Sequence, residues 1–373
     1  MIKVNDIVSR FEQFAPKWMA EEGDPVGLQL GDLNQSVHKM MVTLDVRPET
    51  VQEAIDNNVD FIFAHHPALF HPIVQPMDLT VPQNAMYAKI LKRNITVYGA
   101  HTNLDNANGG MNDWLAELFD LQDTIPLLPT REEKMYKLAV FTQSNTVDTM
   151  RHAITAAGAG DLANYKNCSF SFSGTSRFVP VDEEHSYTSD EKNKMVEMVQ
   201  EKIEVIFPER LKNKVLKAMF DNHPQKDFIY DLYEVQGLGC KYSMGRVGDL
   251  PTPMTVKEFA EKCKEVLDIP GTRVISKDIN KKVKRIAILG GSGARFYTDA
   301  LKKNADLYLT GDVSYHTGHD ILASGINVVD AGHYIECICK PHLTELFNKW
   351  NKENSWQIEV YQSKLNTDPY QFI

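Results

Sequence analysis

The sequence predicts an α/β protein in which two similar α/β lobes form one domain, interrupted by a smaller α+β insert. Three observations carry this. Apolar runs of strand length alternate with amphipathic helical segments early in the chain and again late in it. The two stretches align on each other at a nearly fixed offset, and the segment between them aligns with neither. At 373 residues the chain also exceeds the roughly 250–300 residues that a single core usually serves. The expected boundaries are 1–129 for the first lobe, 130–242 for the insert and 243–373 for the second lobe.

In the first lobe a strand is expected over Lys39 to Asp45, a helix over Pro48 to Asn57 and a strand over Val59 to Ala64. A helix at Asn84 to Lys92 and a strand at Ile95 to Ala100 complete the βαβ pattern. The late counterpart has a strand at Lys284 to Leu289, a helix at Ala294 to Lys303, and strands at Ala305 to Thr310 and Ile326 to Asp330. Setting NNVDFIFAHH on KNADLYLTGD matches Asp60 with Asp306 and His66 with Asp312, an offset of 246. ITVYGAH then lies on INVVDAG at an offset of 231, so one shorter connection accounts for three strands. The opening helices VNDIVSRFEQF and TVKEFAEKCKEV fit the same scheme.

For the insert the pattern predicts a strand at Lys137 to Thr142, a helix at Val147 to Ala157 and a strand at Ser169 to Ser173. A polar break at Val181 to Asp190, a long helix from Asp190 to Ile206 and a strand at Asp227 to Val235 follow. This order suggests a ferredoxin-like fold.

A formal net charge of -10 argues against a general nucleic-acid binder, since phosphate contacts want a basic field. No apolar run approaches the roughly 18 residues of a membrane span, and MIKVNDIVSRFEQF reads as an amphipathic helix rather than a signal sequence. A cytoplasmic location is the expectation. Five cysteines, an odd number with no CxxC pair, do not make a disulfide framework, and Cys337 and Cys339 read as core residues.

Open α/β sheets offer ligands the space beyond the carboxyl ends of their strands. Four such ends here carry suggestive side chains: His65 and His66; His101 and Asp105; Asp312; and His333 with Glu336. A lone strand-end histidine is ordinarily a satisfied or solvent-facing residue. AHHP, HTNLD and GHxxE at related strand ends form a pattern, because facing lobes would bring imidazole and carboxylate together. That donor set suits Zn²⁺, Fe²⁺ or Mn²⁺, and a bridging carboxylate suits two ions roughly 3.5 to 4 Å apart. Gly290, Gly291, Ser292 and Gly293 follow a strand and open a helix, an arrangement that can cradle phosphate or serve as a plain tight turn.

Taken together, PVGLQLGD (Pro25 to Asp32), AHHP (Ala64 to Pro67), HTNLD (His101 to Asp105), GGSG (Gly290 to Gly293), TGD with the following His316, and DAGHYIE (Asp330 to Glu336) resemble the Nif3-like family. These are dinuclear-metal hexameric proteins that carry the name GTP cyclohydrolase 1 type 2 homolog. The insert, in GAGDLANYKNCSF and SFSGTSRF, resembles the PII/CutA-like domain of the longer bacterial members. The resemblance implies a toroidal homohexamer with two divalent cations per subunit on His65, His66, Asp105, His333 and Glu336, with Glu336 bridging. It makes His101 and His316 candidates for supporting the ligands or for proton transfer, and Asp312 a supporting carboxylate.

Two functions compete at this level. One is a metal-dependent hydrolase acting on a nucleotide or small phosphorylated substrate, for which the residues supply a metal site, proton donors and GGSG for phosphate. The other is a metal-dependent regulatory or scaffold hexamer whose insert binds an effector. No membrane partner is expected, and a nucleic-acid partner is disfavoured.

Overall fold

The helix Pro48–Asp56 stops because Asn57 and Asn58 follow it. Asn58 takes φ +54°, and Val59 N–H donates back to Ala54 O at 2.9 Å, which reverses the chain into the strand Phe61–Ala64. Asparagine tolerates the left-handed conformation better than most residues with a side chain. Asp60 then ties this strand to its neighbour, its Oδ2 accepting from the His38 and Lys39 N–H groups at 2.7 and 3.1 Å. The same devices recur late in the chain. Asn304 sits at φ +57° after the helix Tyr297–Lys302, and Asp306 Oδ2 accepts from the Lys284 and Arg285 N–H groups at 2.9 Å each.

The computed structural model describes residues 1–71, 76–162, 164–180, 193–225 and 228–373. Two compact units account for them: Met1–Thr130 together with Tyr242–Ile373, and Arg131–Lys241. The architecture is mixed α/β.

The larger unit contains two sheets. In the first, the order is Gly27–Leu30, Thr96–Gly99, Phe61–Ala64, Lys39–Thr43 and Glu359–Gln362, all parallel except the first strand. In the second, Asn327–Asp330, Leu307–Thr310 and Lys282–Ile288 run parallel; Arg273–Ile275 flanks them antiparallel on one side, and Arg246–Thr255 then Gln122–Pro126 on the other. Each sheet therefore borrows a strand from the other half of the sequence. The expected lobe boundaries do not anticipate that exchange. The late helix expected over Ala294 to Lys303 is a 3₁₀ turn at Ala294–Phe296 followed by the short helix Tyr297–Lys302.

One apolar core joins residues of both halves, including Phe11, Phe63, Tyr98, Phe259, Ile288 and Phe347. Phe63 is its pivot, with ring centroids 4.7 Å from Phe11, 4.8 Å from Phe347 and 5.5 Å from Tyr98. Burying a phenylalanine contributes about 1.5–3 kcal/mol, so this knot anchors the strand that ends in the histidine pair. Strand alternation puts His65 on the side of Phe61 and Phe63, which accounts for its complete burial.

The unit Arg131–Lys241 runs strand Met135–Thr142, helix Val147–Ala156, strands Phe170–Phe178 and Val196–Pro208, helix Lys212–Asn222, strand Tyr230–Val235. Its sheet is antiparallel throughout, in the order fourth, first, third, second. Here the sequence expectation needs correction: from Val196 onward the range expected as a helix, Asp190 to Ile206, is strand. Its Glu and Lys content suggests a helix, but Ile203, Val205 and Phe207 alternate into a core with Met150, Ile154, Val215 and Met219. Pairing on both flanks overrides local propensity. The polar break expected at Val181 to Asp190 lies outside the described residues, as does the Asp227 start of the last strand.

Candidate metal centre

Three strands, two of the first sheet and one of the second, deliver the candidate ligands. Phe61–Ala64 ends in His65 and His66, and Thr96–Gly99 leads through His101 into the short helix Thr102–Asn106, which carries Asp105. Asn327–Asp330 leads through Gly332, at φ +79°, into the 3₁₀ helix His333–Ile338. Side chains three apart eclipse in a 3₁₀ helix, so His333 and Glu336 share one side.

Their heads converge. Glu336 Oε2 lies 3.0 Å from His66 Nε2, 3.1 Å from His333 Nε2 and 3.7 Å from His65 Nε2, while His65 Nε2 is 3.6 Å from Asp105 Oδ1. The His66 and His333 Nε2 atoms are 3.3 Å apart. Ligand atoms fall within 4.8 Å of one another in three groups: His65, Asp105 and Glu336; His66, His333 and Glu336; and His65, His66 and His101. Glu336 belongs to two of them. It is 3% exposed, Asp105 7% and His65 not at all.

Every imidazole is held from behind through Nδ1. His65 bonds Ala100 O at 2.8 Å, His66 bonds Asp45 Oδ1 at 2.7 Å, His101 bonds Asp24 Oδ1 at 2.9 Å and His333 bonds Asp312 Oδ2 at 2.6 Å. A carbonyl can only accept, so His65 Nδ1 carries the proton and, in the neutral ring, Nε2 presents a lone pair. That lone pair faces carboxylate oxygens in a buried place, and neither His65 Nε2 nor Asp105 Oδ1 has a hydrogen-bond partner. Lone pairs pointed at one another repel. A cation between them would turn the same arrangement into coordination, so the donors present fit a divalent metal.

The crowded imidazoles and carboxylates shift one another's proton affinity. Burial opposes the His66 imidazolium, but the bonds to Asp45 and Glu336 outweigh it and push its pKa up to about 10. Glu336 likewise raises His333 to about 9. Burial and then the nearby Glu336 charge push Asp105 upward. Glu336 itself, although burial works against its charge, is held well below the ordinary range, chiefly by the His333 imidazole. Ligands bind metal deprotonated, so a cation would displace these protons.

The other sequence candidates fall in different places. Asp312, at φ +56°, props His333, and the imidazole of His101 stands 5.5 and 5.6 Å from those of His65 and His66. His316 is exposed on the helix Tyr315–Ser324, beside Tyr315, and is in none of the three groups. In the glycine loop, Gly290 N–H donates to Asn112 Oδ1 and Gly293 N–H to Thr310 Oγ1, each at 3.1 Å. Gly291, at φ +61°, lies where a Cβ would collide with the Glu336 carboxylate. The loop is thus packed around that carboxylate, and Ser292 is exposed. Cys339 is buried and Cys337 half-buried; no cysteine joins a ligand group among the described residues.

Asp45 and Asp24 are the functional residues that sequence reasoning missed. Asp45 follows the strand Lys39–Thr43, so the strand-end rule that found the histidines would have found it too. Asp24 sits in a loop before the first strand, where no such rule reaches.

A family model, Duf34/NIF3 (NGG1p interacting factor 3), matches residues 2–369. A Bacillus subtilis protein named GTP cyclohydrolase 1 type 2 homolog is 39% identical over 368 residues, covering 98% of each chain. A Listeria innocua protein of the same name is 41% identical over 362 residues, covering 97% of this chain and 96% of that one. Among solved structures, a Bacillus cereus protein related to NIF3 superimposes with a TM-score of 0.81 at 37% identity, over 100% of this chain and 99% of the other.

Proposed function

The chain belongs to the Duf34/NIF3 family, and from that premise we propose that it holds two divalent cations and hydrolyses a nucleotide or another small phosphorylated substrate. The ligands are His65, His66, Asp105, His333 and Glu336. The observation that carries this reading is the buried, unpartnered pair His65 Nε2 and Asp105 Oδ1 opposite Glu336. Glu336 is the bridging ligand, since it is common to the group with His65 and Asp105 and to the group with His66 and His333. Zn, Fe and Mn all suit such a donor set.

A cation pair supplies charge that acidifies water and polarises the bond under attack. The chain's own residues do the rest. Asp45, Asp312 and the Ala100 carbonyl fix the tautomers of His66, His333 and His65 so that each offers Nε2. His101, oriented by Asp24, moves a proton to or from the substrate; His316 is the more exposed candidate for the same role, and Asp312 acts through His333. Gly290, Gly291, Ser292 and Gly293 hold the Glu336 carboxylate in place, with Ser292 left to meet a phosphate at the rim.

The same reading includes a homohexamer in the cytoplasm, built from chains of two pseudo-repeated lobes with a ferredoxin-like, PII/CutA-like insert. The matching backbone bonds at Asp60 and Asp306 support the repeat, and the βαββαβ order of Arg131–Lys241 supports the insert. No helix among the described residues is long and apolar enough to cross a membrane. A regulatory role is the second reading, favoured by a unit at Arg131–Lys241 with its own core and none of the ligands.

Metal analysis of protein purified without chelator tests the centre: about two ions per chain are expected, and fewer than one, unchanged by His66→Ala, sinks it. A turnover screen across nucleotides and phosphoesters tests the hydrolase. A product signal lost in Glu336→Gln supports it, and one that persists belongs to a contaminant. Oligomeric mass by light scattering tests the hexamer.

A further inference from the structure

Beyond the strand Glu359–Gln362 the chain has no further helix or strand, yet it is fastened along the first sheet. Ser363 N–H donates to Val42 O at 2.9 Å, and Lys364 N–H to Glu53 Oε1 at 2.9 Å. Lys340 Nζ holds Leu365 O at 2.9 Å. These bonds deliver Thr367 to Asp45, where its hydroxyl donates to Oδ2.

Each oxygen of Asp45 thus has one task. Oδ1 takes His66 Nδ1 at 2.7 Å and Oδ2 takes Thr367. A carboxylate tied at one oxygen can rotate about its Cβ–Cγ bond; tied at both, it presents Oδ1 in a single direction and so aims the imidazole behind which it stands. Asp24 is wired alike, with Oδ1 on His101 Nδ1 and Oδ2 on the Thr102 hydroxyl and N–H. Thr102 is a neighbour of the histidine it serves. Thr367 comes from the far end of the sequence.

We propose that Thr367 is a positioning residue of the metal centre: its hydroxyl locks Asp45, Asp45 locks His66, and His66 Nε2 is thereby held toward Glu336 and His333. The segment 363–367 is the fastening that makes this contact, so the centre is incomplete without the C-terminal strand and the residues that follow it. This rests on the reading of His66 as a ligand.

The test is a Co²⁺ titration of the full chelator-stripped chain, followed by visible absorption, whose bands report coordination geometry. Thr367→Val removes the donor at nearly constant volume and is expected to weaken Co²⁺ binding by about 10-fold or more and to shift the bands; Thr367→Ser restores both. In an Asp45→Asn background, Thr367→Val should cost nothing further. Identical titrations and spectra for Thr367→Val and the parent overturn the proposal. So does a Thr367→Ser protein as impaired as Thr367→Val, which would mark a packing role, or full additivity with Asp45→Asn. A parent protein that takes up no Co²⁺ overturns the metal reading itself, an outcome distinct from all of these.

Discussion

Two strand ends of the larger unit share a backbone arrangement and differ in chemistry. After Ala64 the chain presents His65 and His66; after Thr310 it presents Gly311 and Asp312. Both ends are braced the same way, Ala100 N–H donating to Ala64 O and Ala331 N–H to Thr310 O at 2.9 Å each. At the first end imidazoles point inward as donors. At the second, Gly311 leaves room, since a Cβ there would sit 2.6 Å from Gly332 O, and Asp312 props a histidine that arrives from the next strand. The first strand end therefore supplies candidate ligands directly, and the second supplies space and support for the candidate ligands that follow it. A common frame gives opposite ends of the site complementary duties.

The largest break in this comparison is removal of the group on which both ends meet. Glu336→Gln keeps the volume but loses the charge that three imidazoles face. Divalent-metal affinity by calorimetry should fall by more than about 100-fold, exceeding the loss usual for an outer partner. Next come the two props. Asp45→Asn and Asp312→Asn each weaken the hold on one imidazole and should cost about 10- to 100-fold in affinity. Asp45 should be the more damaging, because its side chain is 24% exposed against 37% for Asp312 and is tied at both oxygens. Equal losses would mean that His66 and His333 depend on their props to the same degree.

How much of this was legible in the sequence follows from the range of each interaction. The strands and the histidine pair announce themselves locally, through apolar runs ending in imidazole, and Glu336 through its spacing from His333. Asp24 and Thr367 do not, because their roles depend on contacts with residues 77 and 322 positions away, with no periodic pattern to mark them. The strand Val196–Pro208 reads as a helix for a related reason: its partners on both sides decide its state, and its own composition favours a helix. The exchange of Gln122–Pro126 and Glu359–Gln362 between sheets likewise has no local signature.

A pH titration of stability distinguishes a centre charged by protons from one charged by metal. In the stripped protein His66 and His333 have folded pKa values near 10 and 9, above the ordinary 6.5, so their stabilisation is complete below about 6.5 and is lost as pH rises through the folded values. Asp105, raised by burial and Glu336, acts in the same direction at lower pH, because the folded state holds its proton longer. Thermal melting of the stripped protein should therefore fall from pH 7 to 10, and His333→Gln should flatten the fall. The metal-loaded protein, its ligand protons already displaced, should show no such decline over that window. Parallel curves for the two forms would mean that cations do not replace those protons.

The smallest expected effect tests the frame alone. Asp60 and Asp306 each accept two backbone N–H groups from the neighbouring strand, outside the ligand groups. Replacing either by alanine exposes those donors to water at a sheet margin and should cost about 1–2 kcal/mol in denaturant unfolding, with metal content unchanged. Equal costs at the two positions are expected if the frames are equivalent. A cost confined to Asp60, which also lies 3.5 Å from His38 Nδ1, would locate the stabilisation in that added contact and separate the two frames.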